Sequence, residues 1–473
     1  MVFDKNDYDI RTFHAGNESL ECVCYNNLVY ADNPVNPAFQ SMNLFAPKAY
    51  LSGGEINGYT RATAPIFLPN TVGGYMPGPL AEPGLNVYGP PVPNSVFRAL
   101  EHGYVTACPA IRGRSQPQGK APACIADYKA AVRCLRHIAG DLPGDTERII
   151  TNGTSAGGAL SALMGATGND AGYDAYLDPI GAAHERDDVF AASCYCPIIN
   201  LENADAAYEW QFQGVNEYHR MKMKPREGGR PSFTPEDGKM TGEQIAVSND
   251  LAKLFPAYVN SQNLMKDGRQ LTLDGNGEGS FKEYVKSIVL DSARAAIDCG
   301  EGLSGMNWLA MDGAARAIDM DFSAYARAIT RMKTAPAFDG LSLESPENHL
   351  FGVDAIPAQE IHGRHFTLYS YLHSKVNGAM CDPSIVELLN PMPHIGKAGV
   401  TLAKHWRIRH GEADRDTSLA ISSMLVLKLL EQGCSVDYGA PWGVPHAGDY
   451  DLDALFAWID RVCGQESAVR KIA

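Results

Sequence analysis

Gly153-Thr154-Ser155-Ala156-Gly157 is a G-x-S-x-G pentapeptide between the β-type run Arg148 to Asn152 and a helical run from Gly158 to Met164. Small residues at both ends let a strand turn sharply into a helix, with the backbone packed on itself and the serine held in a strained conformation. Ser155 Oγ is then expected to project from the end of a sheet as a nucleophile. The amides that open the helix, Ala156 N–H first among them, point where negative charge gathers on a tetrahedral intermediate. A Gly/Ser-rich turn that merely packs is the alternative, and the strand before it and the helix after it argue against that.

A chain of 473 residues exceeds the size at which one core usually stops growing, so two domains or one domain with a large insertion are expected. Apolar content of 45% and charged content of 20% describe an ordinary globular protein, with no tandem repeat. A net charge of -15 argues against nucleic acid or an anionic membrane as partner and favours a neutral or weakly acidic small substrate. Met1 to Lys5 has no basic-then-apolar signal region, and no stretch approaches the ~20 apolar residues of a membrane span, so a cytoplasmic protein is expected. Eleven cysteines leave at least one without an intramolecular partner, and reduced, buried thiols are expected. Cys22-Val23-Cys24 and Cys194-Tyr195-Cys196 lack zinc-ribbon spacing and no Cys or His pair accompanies either, so neither a metal nor a cofactor is expected. Nothing in the pattern speaks to oligomeric state.

Up to about residue 200, β-type runs, turns and helices alternate. Pro65 to Leu68 and Gly103 to Cys108 read as strands, and residues 125–138 as a helix with Tyr128, Ala131, Val132 and Leu135 at 3.6-type spacing. Between about Pro197 and Asn390 the character changes to helices and irregular loops: Phe281, Val285, Ile288 and Val289 mark one amphipathic helix, and Pro225 to Pro231 carries the punctuation of an exposed loop. The alternation resumes after Pro391, with a strand at His405 to Arg409, a helix from about Thr417 to Glu431, a strand at Ser435 to Tyr438 and a helix from Leu452 to Val462. The pattern resembles an α/β-hydrolase core, a doubly wound and mostly parallel sheet, over residues 1–196 and 391–473, split by a large, mainly helical lid over residues 197–390.

In that fold the chain order is Ser, acid, His, each partner on a loop after a late strand. Beyond the strand ending near Arg409-His410, the one remaining histidine is His446, in a Pro/Gly-rich loop. The acid should lie in His410-Gly411-Glu412-Ala413-Asp414-Arg415-Asp416, where Asp414 is preferred. Asp416 could instead cap the helix at Thr417, and Glu412, beside Gly411 in the turn, is expected to be solvated. A second oxyanion donor should follow an early strand, which points to the Gly74 N–H in Asn70-Thr71-Val72-Gly73-Gly74-Tyr75; a hairpin turn is the competing reading.

With these residues in place the chain resembles the bacterial tannases, tannin acyl hydrolases that cleave galloyl esters, over nearly its whole length. The likeness rests on Tyr59 to Pro65, Asn70 to Tyr75, Asn152 to Gly158, Ala207 to Phe212, Arg331-Met332-Lys333, Ser345 to Asn348, His405 to Ser418 and His446 to Leu452. The resemblance implies a triad of Ser155, Asp414 and His446, oxyanion amides at Gly74 and Ala156, and a small-molecule galloyl ester as substrate. It also implies that Lys333, Glu347 and Asp416 bind the three gallate hydroxyls and that Ile198 touches the ring. Read without it, Lys333 and Glu347 would be a solvated charge pair. Fungal tannases and feruloyl esterases resemble each other in a cysteine before the serine and another after the histidine, where this chain has Thr154 and Ala447, so the disulfide-tied form is not implied. The competing readings are a feruloyl-type or other aromatic carboxylesterase with the same triad and a non-catalytic hydrolase-fold binding protein.

Overall fold

Three apolar pentapeptides, Pro65–Pro69, Val105–Pro109 and Ala191–Tyr195, are buried at every position. Strands of that kind are covered by helices on both faces. In the computed structural model, which describes residues 3–87, 90–224, 232–354 and 363–464, they belong to a nine-stranded sheet. Its strands are β1 (Asp9–Ala15), β2 (Glu18–Val29), β3 (Ser41–Pro47), β4 (Pro65–Pro69), β5 (Val105–Pro109), β6 (Asp145–Thr154), β7 (Ala191–Tyr195), β8 (His405–Arg409) and β9 (Ser435–Gly439). The spatial order is β1-β2-β3-β5-β4-β6-β7-β8-β9. The pairings from β1 to β5 are antiparallel, and those from β5 to β9 are parallel. This is the α/β-hydrolase sheet, with β6, the strand that ends at the pentapeptide, well inside it.

The helices used below are α1 (Ser95–Glu101), α2 (Ala123–His137), α3 (Ala156–Ala166), α4 (Leu201–Gln211), α5 (Ser280–Asp298), α6 (Leu419–Glu431) and α7 (Leu452–Val462). Helices α2 and α3 pack on each other and on β6, whereas α1 packs against β5 and α7. Most boundaries lie within two residues of the sequence reading. The helix expected from Thr417 starts at Leu419, because the Ser418 hydroxyl accepts the Ala420 N–H at 3.2 Å and caps it. Asp416 is therefore not an N-cap and is free for another role.

Among the described residues, 197–390 contribute no strand to the central sheet. They form helices, α4 and α5 among them, and three two-stranded ribbons: Glu217–Lys224 with Ser232–Lys239, Met265–Lys266 with Arg269–Gln270, and Leu309–Met311 with Ala317–Met320. On α5, Phe281, Val285 and Val289 are buried as their spacing predicts, with Ile288 partly so. Trp210 of α4 sits among Phe255, Phe281 and Phe322 with ring centroids 5.2 to 6.2 Å apart, giving the block an aromatic core. The ends of the block meet: Asn390 Nδ2 donates to Asn200 Oδ1 at 3.3 Å and to Glu202 at 2.6 Å. The loop expected at Pro225 to Pro231 lies outside the described residues. No helix among the described residues is long and apolar enough to cross a membrane.

Candidate active site

Ser155 has φ 61° and ψ -120°, a left-handed conformation that costs a non-glycine residue about 1 to 3 kcal/mol and persists only where its surroundings enforce it. Here they do. The Ser155 N–H donates to the Tyr195 carbonyl of β7 at 3.0 Å, and the Ser155 carbonyl accepts the Ile198 N–H at 3.2 Å. A Cβ on Gly153 would meet the Gly157 carbonyl, and one on Gly157 would meet the Asn70 side chain and the Val72 carbonyl, so both glycines are required by close approach. Asn70 Nδ2 spans the turn, donating to Asn152 O at 3.2 Å and to Gly157 O at 3.0 Å.

Asp414 and His446 come together across two loops, with Nδ1 of His446 2.8 Å from Oδ2 of Asp414. Asp414 is buried. Burial alone would raise its pKa, but the imidazoles of His446 and His410 outweigh it, together with the hydrogen bonds from His446 and the Asp416 N–H, and hold it well below the usual carboxylate range. For His446, burial favours the neutral ring, and the Asp414 carboxylate dominates and raises the pKa. Among the described residues no hydrogen bond joins Ser155 Oγ to His446; Nε2 lies 3.8 Å from Cys196 Sγ and 4.0 Å from Asp416 Oδ2. Catalytic hydrogen bonds are often long in ligand-free sites and tighten with substrate.

One sequence expectation is corrected around this pair. Glu412 is buried rather than solvated, because the loop after β8 packs on the loop that carries His446. Glu412 N–H donates to Pro441 O and Ala413 N–H to Val444 O, both at 3.0 Å, and the Gly443 N–H donates to the Glu412 carboxylate at 3.2 Å. Burial pushes the Glu412 carboxyl up to about 7. Cys194-Tyr195-Cys196 gains no Cys or His pair from the fold, but one histidine lies beside it. The fold brings His446 to Cys196 from far along the chain, and Cys196 Sγ also donates to the Ala447 carbonyl at 3.3 Å.

Gly74 and Tyr75 follow each other at φ 53° and φ 56°, in a turn closed by the Met76 N–H on Gly73 O at 2.9 Å. This is a tight turn, as the competing reading held, but it follows β4 without joining a hairpin. The Gly74 carbonyl accepts Arg114 Nε at 2.8 Å, and the buried Tyr75 hydroxyl donates to Ile198 O at 2.8 Å. The Gly74 N–H donates to no acceptor among the described residues, and the Ala156 N–H, first in α3, has none within its helix.

Lys333 Nζ lies 2.5 Å from Asp416 Oδ1 and 3.9 Å from the centroid of the Phe338 ring. Burial would lower the Lys333 pKa, but Asp416 and Glu347 together raise it. Glu347 is buried in the helix Pro346–Leu350, which Ser345 caps. Burial raises its pKa against the pull of Lys333. For Asp416, Lys333 and His446 outweigh burial and lower the pKa. Ile198, buried beside Ser155, completes the set. The residues that fix Lys333 in place carry no sequence signal of their own. The Tyr208 hydroxyl accepts the N–H groups of Met332 and Lys333 at 3.1 Å and donates to Arg415 O at 2.8 Å. Arg331 Nε donates to Lys333 O at 2.6 Å while its Nη1 bonds Glu209 at 2.9 Å, in a fully buried ion pair. Tyr208, Glu209 and Arg331 fall within or beside the stretches that carry the resemblance, yet nothing in the sequence pairs residues so far apart.

Comparison with known proteins follows the same lines. The BD-FAE family model matches residues 91–216. Carboxylesterase NlhH of Mycobacterium tuberculosis is 30% identical over 138 residues, 28% of this chain and 42% of that protein. Esterase LipQ of the same organism is 31% identical over 112 residues, 24% of this chain and 25% of that protein. The chain thus spans less than half the length of these curated relatives. Among solved structures, a tannase from Lactobacillus plantarum is 44% identical, covers 98% of this chain and 99% of its own, and superposes with a TM-score of 0.92. The Fusobacterium nucleatum tannase is 41% identical over 98% of this chain and 99% of its own, at 0.89. A tannin acyl hydrolase solved with ethyl gallate is 43% identical over 98% of both chains, also at 0.89. By a likeness at 41 to 44% identity that spans 98% of the chain, this protein belongs to the bacterial tannase family of α/β-hydrolase serine esterases.

Proposed function

We propose that this chain hydrolyses galloyl esters of tannins and alkyl gallates to gallic acid and an alcohol, through an acyl-enzyme on Ser155. His446 Nε2 takes the Ser155 proton as Oγ attacks the ester carbonyl, and the Gly74 and Ala156 N–H groups receive the charge on the tetrahedral oxygen. The intermediate collapses as His446 protonates the leaving alcohol. Water then repeats the sequence on the acyl-enzyme, and gallic acid leaves. Asp414 stays ionised throughout, holding the imidazole in its working tautomer and stabilising the imidazolium.

Residues 1–196 and 391–473 form the catalytic core in this reading, and 197–390 the lid that supplies Lys333 and Glu347. Phenolic hydroxyls donate to the Glu347 and Asp416 carboxylates, while Lys333 donates to the hydroxyl para to the ester, the most acidic of the three. The observation that carries the reading is the Lys333–Asp416 pair at 2.5 Å, with Asp416 only 4.0 Å from His446 Nε2. A charged, polar-ring recognition set directly beside the base suits a galloyl acid better than an alkyl one.

The test is an ester panel. Methyl gallate should be turned over faster than methyl ferulate and faster than p-nitrophenyl acetate. A preference for methyl ferulate would replace the galloyl reading with the feruloyl one, and no turnover of any ester would leave a binding protein.

A further inference from the structure

Cys196 takes no part in the acyl transfer just described, yet it occupies a particular place. It directly follows β7 and is almost fully buried, with its Sγ 3.8 Å from His446 Nε2. Ligand-capable atoms of Cys196, Asp414 and His446 lie within 4.8 Å of one another. Two features of this cluster match what a tetrahedral zinc site requires. With Zn–S near 2.3 Å and Zn–N near 2.0 Å, the sulfur and nitrogen of one tetrahedron stand about 3.5 Å apart, so the observed gap needs only a small side-chain adjustment. In addition, metal-binding histidines almost always give their other ring N–H to a carboxylate, a backbone carbonyl or water, and His446 Nδ1 already sits 2.8 Å from Asp414 Oδ2. A third donor is near, since Asp416 Oδ2 is 4.0 Å from the same Nε2, although it shares its charge with Lys333.

We propose that Cys196 Sγ and His446 Nε2 form a site for a soft or borderline divalent cation, zinc above all, and that its occupation inhibits the enzyme reversibly. This rests on the reading of His446 as the base. On binding, the Cys196 S–H bond and the His446 Nε2–H bond of the protonated ring break, both protons go to solvent, and the sulfur and the Nε2 lone pair go to the metal. No oxidant or reductant is needed. The ring nitrogen that should accept the Ser155 proton is then occupied, so acylation stops. Magnesium and calcium, which prefer oxygen donors, should not compete.

The test compares wild type with Cys196→Ala and Cys196→Ser, two variants of different volume so that a packing defect in one does not decide the matter. Equilibrium dialysis should find one more zinc bound by wild type than by either variant. Cobalt(II) should give wild type alone a thiolate-to-metal charge-transfer band. At a free zinc concentration ten times the dissociation constant read by dialysis, methyl gallate hydrolysis by wild type should fall about tenfold. A chelator should restore it, and the variants should keep their rates. Equal zinc binding by the three proteins, or Cys196-dependent binding that leaves hydrolysis untouched, would overturn the proposal. His446→Ala in zinc-free buffer tests the base separately: if it loses turnover, the reading of His446 stands whatever zinc does.

Discussion

The backbone N–H of Asp416 donates to Oδ1 of Asp414 at 2.8 Å, so two carboxylates two residues apart serve different partners. Oδ2 of Asp414 holds His446, and Oδ1 of Asp416 holds Lys333. Asp414→Asn should therefore depress turnover of every ester, by about 10⁴-fold if the imidazole loses its working tautomer. Asp416→Asn should lower kcat/KM for methyl gallate and largely spare p-nitrophenyl acetate. Equal losses on the acetate would collapse the division of labour between them.

Removing the nucleophile gives the plainest outcome. Ser155→Ala should fold normally, since the left-handed turn is imposed by hydrogen bonds and close-packed glycines around it, and should lose galloyl esterase activity by about 10⁴-fold or more. Circular dichroism alongside steady-state rates checks both halves, and near wild-type turnover would remove Ser155 from the mechanism.

Substrate analogues test the ring-hydroxyl contacts. A hydrogen bond to a charged group contributes about 1.5 to 3 kcal/mol, so each hydroxyl removed should cost on the order of 10- to 100-fold in kcat/KM. Methyl gallate should lead, the dihydroxy ester follow, and monohydroxy or methoxylated esters trail. Lys333→Ala or Glu347→Ala should flatten that ranking by slowing the gallate while leaving the poor substrates alone. A ranking unchanged in both variants would place the ring elsewhere.

Glu412 gives a stability prediction with a definite sign. Its carboxyl is raised from 4.5 to about 7 by burial. The folded state thus holds a proton that the unfolded chain releases earlier, and the contribution is fully present below 4.5 and lost as pH rises through about 7. Integrated, the loss is on the order of 3 kcal/mol. Glu412→Gln keeps an oxygen for the Gly443 N–H and never ionises, so it should unfold at higher denaturant than wild type at pH 8 and lose the advantage at pH 4. The same pH dependence in both proteins would assign the destabilisation to other groups.

The parts legible in the sequence are those governed by local rules. The Gly153 to Gly157 turn, the 3.6-spaced face of α5 and the apolar runs of β4 and β5 follow from steric and periodic constraints that neighbouring residues impose on each other. Chain order then narrowed the base to His446, because few histidines remain late in the chain. Burial of Glu412 was not legible: whether a carboxylate in a turn meets water depends on which loop lies over it, and the covering loop starts at Pro441. The antiparallel strands β1 to β3 passed unread for a related reason, since β1 and β2 mix exposed polar and buried positions without a clean alternation. Lys333 and Glu347 became readable as a site only through resemblance. The Tyr208 hydroxyl and the Arg331–Glu209 pair that fix Lys333 are long-range contacts with no periodic trace.

Strands β7 and β8 pair residue for residue, from His405 against Ala191 to Arg409 against Tyr195, although the entire inserted block separates them in the chain. Closing so long a loop costs only logarithmically more entropy than closing a short one, so the native state tolerates the interruption. During synthesis the situation differs. The N-terminal strands emerge first, and β7 must present an unpaired edge to the cell until His405 to Arg409 have been made, which is the condition under which edges recruit foreign strands. The Asn390–Asn200 contact alters this. Once the block has folded and its two ends are joined, the long excursion becomes a short tether that delivers β8 beside its partner. The segment that carries Lys333 is thereby also placed to guide assembly, in the sense that joined ends leave the half-made sheet a shorter search for its next strand.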